Sequence, residues 1–432
     1  MTVFQSLKVR NYRLFASGQV VSLTGTWMQR VAQDWLVLNL SHNSGTAVGI
    51  TTGLQFAPVL LFGMYGGVIA DRYNKRRVLV MTQIAMGLLA LGLGLLDLSG
   101  AAQLWHVYAL AFALGIASAI DAPVRQAFVT ELVGPSLLAN AVGLNSATFN
   151  AARVLGPAVA GVLIASTGTS WVFLINAASF VAVIGCLLRM SDSELFAGKP
   201  TPRRKGAARE GLAYVRKRPE LVAIIGLVGV VGMLGFNFQL TSALLTKNTF
   251  HHGAGSYGLI SAVYAAGSLL GALASANRTR VARRRLVFLA AAGYGVIEIL
   301  AGLMPTFWAF FALLVPFGFA TMTFSTAANT TVQLSATPSM RGRVMALYIM
   351  IFLGGTPIGA PIIGWIAEVA GPRWSLITGG VASTVAAVVA ALYLARREKV
   401  RLEPHLLRLR PHVHVRPLQP QPQPVQEEAL VN

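Results

Sequence analysis

The sequence predicts an all-α membrane protein with twelve transmembrane helices in two six-helix repeats. Three observations lead to this fold class: the composition, the number of long apolar stretches and the placement of the basic residues. Hydrophobic residues make up 55% of the 432 residues and charged residues only 12%, about half the share of charge in soluble globular domains. A soluble enzyme of this size would need far more charge to cover its surface. The single cysteine, Cys186, argues against a disulfide framework.

A helix needs about 20 mostly apolar residues to cross a bilayer. Twelve stretches of the sequence meet this requirement, and they leave room for short loops, one central linker and a tail. They cover residues 14–39, 46–70, 78–98, 104–122, 137–165, 169–190, 221–247, 256–276, 286–304, 306–330, 344–367 and 372–395.

The basic residues fit one orientation of these twelve spans. If both termini are cytoplasmic, all of the 35 Lys and Arg residues lie on the cytoplasmic side except Arg30, Arg153, Lys247 and Arg373, as the positive-inside rule requires. Such loop residues contact anionic lipid headgroups. They do not form the single basic face of a nucleic-acid-binding protein. We therefore expect a multi-pass membrane protein with both termini in the cytoplasm and no nucleic-acid partner.

The two halves of the chain resemble each other at an offset of 203 residues. Many secondary transporters are built from such repeats, with the substrate site between them near the middle of the membrane. The matched residues are Pro135 and Pro338, Gly156 and Gly359, Gly161 and Gly364, Gly168 and Gly371, and Trp171 and Trp374.

The repeat divides the chain into four parts. Residues 1–190 are expected to form the first six-helix bundle, 191–220 a basic cytoplasmic linker and 221–395 the second bundle. The Pro/Gln-rich tail, 396–432, is predicted to be a disordered cytoplasmic segment. Within the linker, Ala207–Arg218 fits an amphipathic helix that lies on the inner membrane surface.

The segment between the second and third spans carries a family signature. Gly66–Arg77 reads GGVIADRYNKRR, which resembles the loop motif G-x-x-x-D-R-x-G-R-[RK] of the major facilitator superfamily. Asn74 stands where glycine is usual, and asparagine tolerates a left-handed backbone better than most residues. The resemblance implies twelve helices around a central cavity, which spans 1, 4, 7 and 10 line.

The same resemblance implies a cytoplasmic gate. Asp71 is expected to cap the start of span 11 in the outward-facing state, because the positive end of that helix dipole lies there. Arg341 and Arg343 are expected to lie close to this cluster. The predicted gate residues are Gly67, Asp71, Arg72, Arg76, Asp121 and Arg125.

A second motif lies in the fifth span. Gly156, Pro157 and Gly161 are similar to the G-P-x-x-G-G motif of exporters and antiporters in the superfamily, with Ala160 in place of one glycine. The alternative is that these small residues only allow close helix packing.

Local segments resemble one bacterial branch of the superfamily, the transmembrane secretion effectors, which includes enterobactin and macrolide exporters. This resemblance covers about residues 8–400 and implies a bacterial plasma membrane. The segments are Trp27–Gln29, Pro123–Phe128, Leu144–Ser146 and Phe149–Arg153.

Polar residues inside the spans predict the substrate and proton pathway, because polar groups in lipid are unfavourable unless they face protein or water. In the first span Gln19, Ser22, Thr26, Gln29 and Gln33 have the spacing of a single helical face. The candidate pathway residues are Gln29, Arg30, Gln33, Asp34, Asn150, Arg153, Asn237 and Gln239.

Asp34 is the leading candidate for a proton or cation site. Burial favours the neutral form of a carboxyl group, whereas a nearby arginine favours its charged form. Arg30 lies four residues away, on the same side of the helix, so a permanent structural Arg30–Asp34 ion pair is the alternative. Arg153 is expected either to hold an anionic substrate group or to pair across the cavity. Glu298 is a weaker candidate, expected to reach the outer headgroups.

These observations predict a secondary active transporter that exports an amphipathic small molecule, such as a drug, a siderophore or another natural product, by proton-coupled alternating access. Its expected partners are the substrate, protons and membrane lipids, and a monomer is expected. The alternative is a gradient-independent facilitator or importer of a small metabolite. A membrane enzyme would need convergent titratable groups in one pocket, which the spans lack. The sequence offers no metal-ligand spacing and no nucleotide-binding motif, so neither a metal nor a cofactor is expected.

Overall fold

The structure is a computed structural model that describes residues 4–196, 207–276, 284–397, 400–405 and 412–417. Helices make up almost all of the described chain. The first five are α1 (Arg10–Leu40), α2 (Gly45–Arg72), α3 (Lys75–Leu98), α4 (Leu104–Thr167) and α5 (Thr169–Leu188). The next five are α6 (Ala207–Arg216), α7 (Pro219–Val230), α8 (Phe238–Leu244), α9 (Ala254–Ala276) and α10 (Arg284–Leu303). The last four are α11 (Phe307–Ser335), α12 (Arg341–Gly354), α13 (Thr356–Val369) and α14 (Pro372–Arg397).

Ten helical segments of the described chain are long and apolar enough to cross a membrane, whereas the sequence predicts twelve spans. Two features explain the difference. One of the ten is the whole of α4, whose 64 residues are about three times the length that a bilayer requires. Helix α1 has 31 residues but is not among the ten, because it carries Arg13, Arg30 and Asp34 among many other polar residues.

Helix α4 is interrupted at Gly134. This residue has φ 68°, a left-handed conformation that glycine adopts without steric strain. The C-terminal part of the chain has a break at the equivalent position. At the offset of 203 residues, the position that corresponds to Gly134 lies in the turn between α11 and α12. Gly168 and Gly371, one offset apart, precede α5 and α14 with φ 88° and 100°.

The helices form two groups, and each group packs chiefly within itself. Helices α1–α5 surround one set of buried side chains, including Tyr12 and Phe128. Helices α7–α14 surround another set, which is rich in phenylalanine and includes Phe310 and Phe317. The main contacts between the groups are α2 against α13 and α4 against α9. We call the two groups the N-half and the C-half.

The two halves meet closely at only one end of the bundle. We call the end with the 72–77 loop the basic end and the opposite end the far end. At the far end, a Cβ added to Gly364 would lie 3.2 Å from Cα of Gly49, so α13 and α2 approach backbone to backbone. The described hydrogen bonds between the halves lie at the far end or at mid-depth. The space between the halves therefore opens towards the basic end.

Two predictions about the polar segments are refined. The linker helix ends at Arg216 rather than at the predicted 218. Arg218 is extended (φ −118°, ψ 102°) because the residue before a proline avoids the helical region. In the tail predicted to be disordered, α14 continues to Arg397, and two short antiparallel strands follow, β1 (Val400–His405) and β2 (His412–Pro417). β2 alternates valine with polar residues, which suits a strand. The remaining tail residues and linker residues 197–206 lie outside the described part of the chain.

Candidate functional site

A cavity of about 520 Å³ lies at mid-depth between the halves, a volume in the range of small-molecule sites. Its polar wall includes six of the eight predicted pathway residues, namely Arg30, Gln33, Asp34, Arg153, Asn237 and Gln239. Its apolar wall includes Trp27, Phe56, Phe149, Phe236 and Tyr264. The combination of aromatic surface with a few polar groups suits an amphipathic ligand.

Asp34 is held by a residue of the other half. The hydroxyl of Tyr257 donates a hydrogen bond of 2.7 Å to Oδ2 of Asp34, and the carboxyl group is buried. The ring of Tyr257 stacks on Trp35, with centroids 6.2 Å apart. This hydrogen bond thus joins α1 to α9 at the wall of the cavity.

The permanent Arg30–Asp34 ion pair weighed as an alternative is not formed. Among the described residues, no nitrogen of Arg30 lies within ion-pair distance of Asp34. Instead, Cζ of Arg30 lies 4.7 Å from the ring centroid of Trp27 and 5.6 Å from that of Phe56. The guanidinium thus contacts two aromatic rings, while Oδ2 of Asp34 accepts the hydrogen bond from Tyr257.

Arg153 adopts a similar arrangement on the neighbouring wall. Its Cζ lies 5.9 Å from the Trp27 centroid and 6.0 Å from the Tyr264 centroid. Tyr264 belongs to the C-half, so Arg153 reaches across the cavity to an aromatic ring rather than to a carboxylate. A cation over an aromatic face is attracted by the ring quadrupole.

The remaining polar lining is tied to backbone or to neighbouring amides. Gln33 donates to Oε1 of Gln55 on α2 at 3.0 Å. Asn237 follows a π-helical segment, Val231–Gly235, and donates to the carbonyl of Met233 at 2.8 Å. Such π-segments are frequent at functional sites, and this one directs Asn237 and Gln239 towards the cavity.

Two predicted pathway residues do not line the cavity. Gln29 is buried against α5, where its Oε1 accepts a hydrogen bond of 2.5 Å from Asn176. Asn150 donates to the carbonyl of Ser146 one turn earlier on its own helix. Gln29 was misplaced because α1 packs on α5 as well as on the cavity, and a polar stripe serves both surfaces.

The predicted gate residues do not form one cluster in this conformation. Asp121 is completely buried, accepts hydrogen bonds from Thr82 and Gln83, and pairs with Arg125 at 2.8 Å. It therefore joins α3 to α4 inside the N-half. Arg125 also donates to Gln19 at 3.0 Å.

The signature loop is likewise anchored within the N-half. Arg76 binds the carbonyls of Leu187 and Leu188 and pairs with Asp192 at 2.6 Å. Asn74 has φ −61°, not a left-handed value, and its side chain accepts a hydrogen bond from the Arg77 amide at the start of α3. Its role is that of a helix cap.

The rest of the predicted gate lies at the open end. Asp71 and Arg72 are exposed, and Gly67 is half-buried. The predicted span 11 begins with α12. The halves are apart at this end, so Asp71 does not cap the start of α12 in this conformation. The contact between Asp71 and α12 stays a prediction for the outward-facing state.

The Gly156–Gly161 motif lies at helix contacts. A Cβ added to Gly156 would lie 2.6 Å from Cβ of Trp27, so this glycine lets α4 pack directly on α1. A Cβ added to Gly161 would lie 3.0 Å from Cα of Gly258 on α9, across the boundary between the halves. Pro157 lies between them and lines the cavity.

The sequence suggested that Glu298 reaches the outer headgroups, but in the structure it does not. It is 1% exposed and lies inside the C-half between α10 and α14. Its Oε2 has no hydrogen-bond partner among the described residues. It does not line the cavity.

A family profile described as transmembrane secretion effector matches residues 1–420. The chain belongs to the transmembrane secretion effector family. It is therefore a multi-pass membrane transporter of the major facilitator superfamily and not an enzyme. The family resemblance drawn from the sequence motifs is confirmed.

Relatives of this secretion effector include siderophore transporters. The staphyloferrin A transporter of Staphylococcus aureus is 25% identical over 395 residues, covering 90% of this chain and 98% of that protein. The enterobactin exporter of Escherichia coli is 25% identical over 400 residues, covering 91% and 94% of the two chains.

Solved structures show the same fold. A bacterial homologue of the human lysosomal transporter Spinster, in an inward-facing and occupied conformation, matches with TM-score 0.71 at 19% identity, covering 89% of this chain and 97% of that one. A bacterial homologue of the iron transporter ferroportin, in an inward-facing state, matches with TM-score 0.69 at 16% identity, covering 89% and 98%.

Several residues of this secretion effector's cavity were missed by sequence reasoning. Tyr257 follows a glycine-rich turn in an otherwise small-residue helix, and nothing in its local sequence marks it as the partner of Asp34. Gln55 was detectable, since it is an isolated amide in an apolar span. Glu368 accepts hydrogen bonds from Ser44 Oγ at 2.6 Å and from the Thr46 amide at 2.9 Å. It joins the halves at the far end.

Proposed function

We propose that this secretion effector is a secondary active exporter that moves an amphipathic small molecule out of the cell by proton-coupled alternating access. The observation that carries the proposal is the Tyr257–Asp34 hydrogen bond, which links a titratable group in the cavity to the contact between the halves. A transporter needs such a link, because the coupling ion must bias one conformation over the other.

The proposed topology has twelve spans in two six-helix halves, 1–190 and 221–395, joined by the linker 191–220 and followed by the tail 396–432. The break at Gly134 divides α4 into two spans, and α1 adds a polar span to the ten apolar ones. The starts of α4 and α11, the starts of α5 and α14, and Gly168 with Gly371 each lie 203 residues apart, which supports a duplicated unit. With both termini in the cytoplasm, the conformation described is inward-facing.

The proposed coupling follows from the partner of Asp34. A hydroxyl donor stabilises an ionised carboxylate, so the inward-facing state favours release of a proton from Asp34 to the cytoplasm. When the far end opens, Tyr257 moves away with the C-half, and Asp34 loses this donor. Asp34 then binds a proton from outside. One cycle therefore carries a proton inward while the cavity carries the substrate outward.

The proposed cargo is an amphipathic natural product of drug or siderophore size. The cavity volume and its aromatic wall support this size and character, and the names of two relatives refer to siderophores. The word exporter in the name of the enterobactin relative supports the outward direction. We propose a monomer as the working unit.

Everted bacterial membrane vesicles test this function directly, because an exporter pumps its substrate into them. Vesicles containing the wild type are energised with NADH and offered fluorescent amphiphiles of different charge: carboxyfluorescein, Nile red and rhodamine 123. We expect uptake of at least one dye that an uncoupler abolishes. Asp34→Asn should lose this uptake, whereas Glu298→Gln, a matched change of an intramembrane carboxyl outside the cavity, should retain it.

Two results would contradict the proposal. Dye equilibration by the wild type that neither NADH nor the uncoupler changes would indicate a facilitator. Uptake in right-side-out vesicles but not in everted ones would indicate an importer.

A further inference from the structure

We propose that the cavity selects organic anions, and that Arg30 and Arg153, which both contact the ring of Trp27, bind the anionic group of the cargo. This inference rests on the proposed function, since it names the charge of the molecule that the same cavity carries. It narrows the expected cargo from an amphipathic small molecule to an amphipathic anion.

The first step is the shared platform. Both guanidinium groups lie over the indole of Trp27, with Cζ at 4.7 Å for Arg30 and 5.9 Å for Arg153. Phe56 and Tyr264 flank them, at 5.6 Å from Arg30 and 6.0 Å from Arg153 respectively. Two positive groups of the cavity wall thus lie beside the same aromatic ring.

The second step is the absence of a direct contact between either arginine and a carboxylate. In the described part of the chain, neither arginine forms a hydrogen bond or an ion pair, and Asp34 is the one carboxyl group in the cavity wall. Charged groups at membrane depth are unfavourable unless paired or hydrated, and aromatic contact compensates only part of this. The planar guanidinium donors therefore remain available to a ligand.

The third step is the position of Asp34. It lies four residues after Arg30, close enough for the two side chains to pair on the helix surface. Tyr257 holds Oδ2 of the carboxylate from α9, and among the described residues neither carboxylate oxygen pairs with Arg30. Arg30 thus stays free for the cargo in the conformation that opens towards the basic end.

The chemistry of the ligand follows. A guanidinium binds a carboxylate or a similar planar anion through two parallel hydrogen bonds. The flat apolar body of the same molecule can pack on Phe56, Phe236 and Tyr264 in the cavity wall. A cationic amphiphile of equal size fits the aromatic wall but is repelled by the two arginines.

The test compares two dyes with the same xanthene scaffold and opposite charge, carboxyfluorescein and rhodamine 123. Their binding to the purified full-length protein is measured by fluorescence polarisation at one pH, without any gradient. We expect carboxyfluorescein to bind about tenfold or more tightly than rhodamine 123. Arg30→Gln and Arg153→Gln should each weaken its binding by about tenfold, the usual size of a lost hydrogen bond to a charged group.

Three further variants separate charge recognition from folding. Arg30→Lys keeps the charge without the planar fork and should restore part of the affinity. Arg13→Gln, which removes an exposed arginine at the start of α1, should leave binding unchanged. Tyr257→Phe should weaken carboxyfluorescein binding, because Asp34 without its hydroxyl donor pairs more readily with Arg30.

Equal or tighter binding of rhodamine 123, no binding of carboxyfluorescein, or full affinity in both glutamine variants would overturn the inference. The proposed function fails separately. Selective anion binding without gradient-driven transport would leave the anion site standing and remove proton coupling. Gradient-driven transport of cationic dyes alone would remove the anion site and leave the proposed function standing.

Discussion

The hydroxyl of Tyr257 donates a 2.7 Å hydrogen bond to Oδ2 of Asp34, a residue 223 positions earlier in the chain. This bond joins the two halves at the cavity wall. It also competes with Arg30 for the carboxylate, and the guanidinium of Arg30 lies over Trp27. A single hydroxyl thus affects the contact between the halves, the ionisation of Asp34 and the charge presented to the cargo.

Tyr257→Phe should therefore reduce gradient-driven transport. The change removes the hydroxyl but keeps the ring that stacks on Trp35. Hydrogen bonds to charged groups contribute about 1.5–3 kcal/mol, so we expect about a tenfold or larger loss of initial uptake in energised everted vesicles. Tyr65→Phe, at a tyrosine that is 66% exposed, is the control and should transport normally. Normal transport by both variants would show that the bond has no part in coupling.

Glu368→Gln should weaken closure of the far end. The carboxylate of Glu368 accepts from Ser44 Oγ and from the Thr46 amide, and it lies at the N-terminus of α2, where a negative charge is favourable. We expect the population with an open far end to rise about tenfold, since the charge-assisted bonds contribute about 1.5–3 kcal/mol.

Cross-linking can measure this shift. In a Cys186→Ser background, cysteines replace Asn39 and Lys247, which hydrogen-bond across the far end at 2.5 Å. A short bifunctional thiol reagent should cross-link them rapidly with Glu368 present and several-fold more slowly with Glu368→Gln. Equal rates would rule out a role for Glu368 in closing this end.

Gly364→Ala should also favour an open far end, for steric reasons. The new Cβ would lie 3.0 Å from the carbonyl carbon of Gly45 and 3.2 Å from Cα of Gly49, and backbone atoms of α2 cannot move aside individually. Overpacking of this kind costs about 1–3 kcal/mol. Gly293→Ala is the matched control, because no atom lies within 4 Å of its added Cβ. In the same assay the rate of cross-linking should fall for Gly364→Ala only. An unchanged rate would contradict close contact of α2 with α13.

Gln29→Met and Asn176→Leu should each lower thermal stability. Each removes one partner of a buried amide pair and leaves the other group unsatisfied, which costs about 1–3 kcal/mol. The double variant should be closer to the wild type than the sum of the single changes, because no unpaired amide remains. Thermal unfolding in detergent measures all three. Additive losses would contradict a direct pair between these residues.

The cavity could be predicted in part, because polar groups inside apolar spans are rare enough to stand out. Arg30, Asp34, Arg153 and Asn237 were found in this way, and all line the cavity. Their partners could not be found, since a contact between α1 and α9 depends on how the halves pack. Gln29 shows the limit of the method. Helical spacing identifies a polar face but does not say whether another amide, here Asn176, occupies it.

The fold could be predicted further than the gate. The 203-residue offset anticipates the matched helix starts and the paired glycines at 168 and 371, because backbone turns leave a trace in the sequence. The gate residues, by contrast, were predicted from the family resemblance. Asp121 is instead enclosed between α3 and α4, and no sequence pattern distinguishes a buried structural carboxylate from a gating one.

The most direct test of proton coupling uses proteoliposomes in which an imposed pH gradient is the only energy source. Uphill accumulation of whichever dye binds is measured for the wild type, Asp34→Asn and Glu298→Gln, with dye exchange at equal pH recorded in parallel. The account predicts that the gradient drives accumulation in the wild type and in Glu298→Gln. Asp34→Asn should show measurable exchange but no uphill accumulation. Accumulation by Asp34→Asn equal to that of the wild type would contradict the assignment of Asp34 as the coupling residue.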